Sequence, residues 1–209
     1  MRNRLYQCAA LAAALTLLNG GCKPKSSTTG AAETGATGAV SGADTTKMAT
    51  PDTTAKGGMT LDDPTALATF EALLTYDIET AGIAAKKSAK SDIRDLASGF
   101  VQGHRGLLKQ AKDLAKKLNM TPTPPKEAPL GQAHADALRK LNATTGEEFD
   151  RVFLANEVAY HDGAIKILTD TLAPAIKNPD LKAAVTAAVP AFQAHLAASQ
   201  KAAAKYHAR

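Results

Sequence analysis

The chain has 209 residues, a formal net charge of +5, no Trp and only 4% aromatics. So mild a charge, with so few base-stacking rings, argues against a nucleic-acid surface. Two cysteines leave no disulfide framework, and the absence of strand-like alternation excludes a sheet, so an all-α fold held by its core is predicted.

The first residues read as an address. Arg2 and Arg4 precede an apolar run from Leu5 to Leu18, which is shorter than a membrane span and fits a secretory signal. Asn19-Gly20-Gly21-Cys22 follows and resembles the lipobox of bacterial lipoproteins, with Asn19 where an apolar residue is usual. Residues 1–21 are therefore expected to be a lipoprotein-type signal peptide, and Cys22 the lipidated residue that holds the protein on a membrane. The alternative is ordinary cleavage that releases a free periplasmic protein. Cys8 leaves with the signal in either case. Residues 22–60 are rich in Gly, Ala, Thr and Ser, too polar to offset their ordering entropy, and are expected to be a disordered tether. Residues 61–209 have the size of one domain with a core.

Within that domain four long helices are predicted. The first starts at Asp62-Asp63-Pro64, a cap followed by proline, and carries Leu67, Phe70, Leu74, Asp77, Ile78 and Ala81 on one stripe. The second starts at Ser91, read as its cap, and carries Ile93, Leu96, Phe100, His104, Leu107, Ala111 and Leu114. The lysines of that helix lie mostly off the stripe and read as a solvated face. Four prolines between 121 and 129 end it, and a short helix over 131–142 follows, with His134 read as a surface residue.

Thr145 and Glu148 have capping-box spacing before the third long helix, whose stripe is Phe149, Phe153, Glu157, His161, Ile165 and Leu168. Asp150-Arg151 reads as a local ion pair or cap. Pro174 is expected to end this helix, and Asn178-Pro179 to start the fourth, with Leu181, Val185, Phe192, His195 and Ser199 inward. Pro190 is expected to kink that last helix before His195. His207 falls at its frayed end.

Short connections within each helix pair, and about 25 residues between the pairs, predict a ferritin-like four-helix bundle. Its order is two antiparallel hairpins joined by a long crossover with a short extra helix. Asp77 and His104 fall at equal distances from the first turn and should be level. His161 lies 12 residues before 173 and His195 16 after 179, a mismatch of about one helical turn, or roughly 5 Å. Glu157 is level with His195 and shares a face with His161.

The pattern of these residues resembles a ferritin-like family of unknown function found in exported bacterial proteins, often labelled outer-membrane proteins. The matching features are Asp77-Ile78 with Ile83-Ala84, and His104 placed 27 residues after the acid. Phe149-Asp150-Arg151-Val152-Phe153 with His161, and Val189-Pro190 with His195, complete the match. The sequence departs where the family has Glu (Asp77), an acid (Gly103) and Tyr (Phe153). The resemblance implies the fold and an envelope location, with the outer membrane as the expected anchor surface, and brings no established activity.

Polar groups are costly in a core unless paired or bound to something. Three imidazoles and a carboxylate, from His104, His161, His195 and Asp77 with Glu157 close by, are a ligand set suited to Zn, Fe or Cu. The diiron pattern of ferritin-like oxidases is excluded, because Val101 and Phe192 stand three places before His104 and His195 where it wants Glu. The alternative to a metal is a buried hydrogen-bond network that fixes helix register. The sequence thus predicts an envelope-tethered helical protein of unknown activity whose core His and Asp residues bind a transition metal. Two other readings stay open: a metal-dependent redox enzyme, and an interaction module with a buried His/Asp network.

Overall fold

Asp62 opens the first long helix, α1 (Asp63–Lys87), as its sequence predicts. Its Oδ1 accepts the Thr65 amide at 2.9 Å, and Pro64 sits in the first turn, where no amide partner is needed. The computed structural model describes residues 61–126 and 129–207; the predicted signal peptide, the Cys22 anchor and the 22–60 tether lie outside them. Residues 88–90 reverse the chain into α2 (Ser91–Lys117). Ser91 is the first helical residue and not the expected cap; Lys90 holds the cap position without a side-chain bond. Ser88 organises the turn instead. Its Oγ accepts the Lys90 amide at 3.2 Å and donates to the buried Asp150 Oδ1 at 2.5 Å.

The short helix, α3 (Pro129–Ala143), packs on α1 and on α4 (Gly146–Lys166). Covering α1 in this way buries much of His134, which corrects its reading as a surface residue. Its side chain is 10% exposed, its ring stacks on Tyr76 at 4.1 Å, and its Nε2 is 2.7 Å from Glu79. The expected capping box at α4 does not form: Thr145 makes no side-chain bond. Gly146 takes a φ of +59°, which departs from the helical backbone that a capping box needs at its first position.

Pro174 does not end α4. The helix widens into a π-helical segment, Ile167–Leu172, in which the Ala173 amide reaches back five residues to the Leu168 carbonyl, and then continues as α5 (Ala173–Ala175). Proline lacks an amide hydrogen, so the ladder beside it is already short of a donor and the wider spacing loses little. The chain turns over 176–178 into α6 (Pro179–His207). Asn178 caps α6, its Oδ1 accepting the Leu181 amide at 3.0 Å. The Lys177 and Asn178 amides donate to the Asp63 carboxylate at 2.7 and 2.9 Å, which ties this turn to the start of α1.

The result is the predicted all-α order. α1 packs chiefly on α2, and α4 on α6, as two hairpins joined by a crossover that contains α3. Among the described residues no helix is long and apolar enough to cross a membrane. The apolar core falls into two clusters. One gathers Leu67, Phe70, Leu74, Leu168, Leu181 and Phe192; the other gathers Ala81, Ile93, Phe100, Leu141, Phe149 and Phe153. Along each long helix the residues between these clusters are the polar ones: Asp77, His104, Glu157 with His161, and His195.

Candidate metal centre

The four helices each deliver one group to this polar layer. Asp77, His104, His161 and His195 offer ligand atoms that all lie within 4.8 Å of one another. His104 Nε2 is the hub. It stands 2.8 Å from Asp77 Oδ2, 3.1 Å from His195 Nδ1 and 3.5 Å from His161 Nε2. His161 Nε2 is 3.8 Å from the same Asp77 oxygen. The expected one-turn mismatch between His161 and His195 shrinks because the helix runs on past Pro174. His161 lies 15 residues before Ile176 and His195 17 after Asn178, a difference of two residues, or about 3 Å of rise. An imidazole spans that.

These contacts do not satisfy one another. His104 Nε2 is close to Asp77 Oδ2 but not aligned along a ring N–H, and the Glu157 acid beside Asp77 is the other group in reach of its carboxylate. His104 Nδ1 is buried without a partner, an orphan that costs about 1–3 kcal/mol. The closeness of one N or O atom from each of four helices matches convergence on a shared ion. Four N and O ligands held about 2.0–2.2 Å from one ion in a tetrahedron stand roughly 3.3–3.6 Å apart, inside the observed spread of 2.8 to 4.8 Å.

His161 is oriented for this role. Its Nδ1 lies 2.9 Å from the Glu157 carbonyl and donates to it, which leaves the Nε2 lone pair facing the centre. Glu157 is not among the four groups whose ligand atoms converge; its carboxylate is 3.6 Å from His161 Nδ1 and neighbours Asp77. Phe100 and Phe192 wall the layer, with ring centroids 4.3 Å from His195 and 4.7 Å from His104. Their aromatic character on the stripe signalled core, and nothing in the sequence distinguished them from other core rings. Tyr160, beside His161, donates its hydroxyl to the Leu73 carbonyl and so links α4 to α1.

Electrostatics sort the two acids. Burial alone would raise the Asp77 pKa, but contact with His104 and the neighbouring His161 outweigh it and hold the carboxyl below its ordinary range. Burial, and then the Asp77 charge, push Glu157 well above the usual carboxylate range. The layer thus carries one negative charge and a neutral acid. Burial also lowers His161, and it takes His195 down to about 4, helped by His104 and His161. Both imidazoles are neutral at pH 7, the form that binds metals.

Two other expectations change. Asp150, read as a local ion pair or cap with Arg151, is buried against Ser88 across the bundle, while Arg151 is exposed. Gly103, where a family acid was expected, lies beside His195: a Cβ there would meet His195 Cε1 at 3.3 Å and Nε2 at 3.4 Å.

The family described as a domain of unknown function, DUF4142, matches residues 48–202. No curated protein matches the chain. Among solved structures the fold is similar to a crystal structure of a DUF305 fragment from Deinococcus radiodurans, with TM-score 0.57 and 15% identity over 67% of this chain and 96% of that one. It is also similar to CopM in the Cu(II)-bound form, with TM-score 0.54 and 15% identity over 69% of this chain and 98% of that one. At such identity these likenesses carry the fold alone.

Proposed function

The chain belongs to the DUF4142 family, a domain of unknown function, and from that premise we propose that it binds a single divalent transition metal in its core. Asp77, His104, His161 and His195 are the ligands. The observation that carries this reading is the convergence of one atom from each of four helices, all within 4.8 Å of one another. The ion supplies a positive charge beside the Asp77 carboxylate and a common acceptor for the lone pairs that converge there. Glu157 acts through its backbone, fixing the tautomer of His161, and as a neutral acid beside Asp77. Cu(II) is the tightest ion by the general order of affinities for such ligands, ahead of Ni(II) and Zn(II). The fold's likeness to a protein solved with Cu(II) is consistent with that order.

The test is metal analysis of purified protein loaded in turn with Cu(II), Zn(II) and Fe(II), beside His161→Ala. One ion per chain, lost in the variant, is the expected result. No stoichiometric binding of any of the three leaves only the hydrogen-bond network.

We take the protein to sit in the bacterial envelope, held at the outer membrane by acyl chains on Cys22. The support is the apolar run from Leu5 to Leu18 followed by Gly20-Gly21-Cys22. Labelling of cells with a palmitate analogue should mark the wild type and not Cys22→Ser; equal labelling of both overturns the anchor.

A further inference from the structure

Three of the four converging groups are sealed. Asp77, His104 and His161 are each 0% exposed, and only His195 keeps part of its surface. Its Nδ1 faces His104, and the Nε2 and Cε1 edge of the ring lies against Gly103 on the same helix as His104, an exposed residue without a side chain. Phe100, one turn earlier on α2, packs against the ring. Glycine in mid-helix is less favourable than alanine, so α2 gives up stability at the position where the ring comes closest to its backbone.

We infer that the ion is taken up and released through the seam between α2 and α6, with His195 as the ligand that swings aside and Gly103 as the side-chain-free position its ring moves past. This rests on the metal-binding reading above and adds to it a route. The site then holds a divalent cation that exchanges with solution, gripped by three fixed ligands and closed by one movable one. Asp77, His104 and His161 have no exposed surface, whereas the His195 side chain keeps part of its own.

Two further glycines make the inference testable. Gly99 and Gly106 are also exposed on α2, but a Cβ at either meets nothing within 4 Å. Full-length protein is loaded with Cu(II) or Zn(II), and uptake and chelator-driven release are followed by stopped flow. Gly103→Leu should slow both rates by about tenfold or more, since the added side chain occupies the space His195 needs. Gly106→Leu, which alters the same helix away from His195, should exchange at wild-type rates. Gly103→Ala adds only the Cβ, shifts both rates in the same direction by less, and serves if leucine disturbs folding. Unchanged rates at position 103, faster release there, or equal slowing in Gly106→Leu overturns the route. Failure of the wild type to take up either ion overturns the metal-binding reading instead.

Discussion

Asp77 and His195 bracket the behaviour of the polar layer, one buried as an anion and the other as a neutral base. The consequence for pH follows from linkage. His195 titrates near 4 in the fold against an ordinary value of 6.5, so the unfolded chain takes up its proton first as the solution is acidified. His161 is shifted in the same direction. Metal-free protein should therefore be most stable above about pH 6.5 and lose stability steadily from there towards pH 4. Thermal melts across that range should fall, and melts of His195→Gln should fall less. A wild-type profile that is flat, or that rises on acidification, contradicts the assignment. All four converging residues were legible in the sequence, because a charged or imidazole residue on an apolar stripe is conspicuous. Glu157 was legible as a neighbour, but that it stays outside the converging four depends on side-chain placement that no stripe conveys.

Helix ends show how far pattern alone reaches. The Asp62 and Asn178 caps form as read, because each places an acceptor three residues before a free amide. Removing one should cost what caps usually cost: Asn178→Ala is expected to destabilise by about 1 kcal/mol, or roughly 2–4 °C in a domain of this size. A melting temperature equal to the wild type's would mean that the Asp63 carboxylate, bonded to the Lys177 and Asn178 amides, already organises this turn. Thr145 and Pro174 were misread for a shared reason. Each carries the right local signal, and each is overridden by the backbone next to it, the positive φ of Gly146 in one case and the π-helical segment in the other. The second error mattered most. Ending the helix at Pro174 misplaced the turn and put His161 a full helical turn out of level with His195. His134 was misjudged because its cover comes from α1, distant in sequence.

The bundle as a whole followed from connection lengths and stripes, since short links force neighbours to run antiparallel and one long link separates the pairs. What no single stripe conveys is that the polar residues of all four helices fall in one layer and split the apolar core in two. Binding at that layer should be felt globally. An ion present at about a hundred times its dissociation constant adds about 2.7 kcal/mol, which predicts a rise in melting temperature of roughly 5–10 °C that chelation reverses. No shift with Cu(II) or Zn(II) contradicts binding to the native state. Each half of the interior has its own large side chains, Phe70 and Phe192 towards one end, Phe149 and Phe153 towards the other. Without an ion, the two ends are joined by the helices that run through both and by the polar layer between them. A single ion fastened to all four helices would tighten that joint, so the cooperativity of the molecule, as distinct from its stability, would follow metal supply.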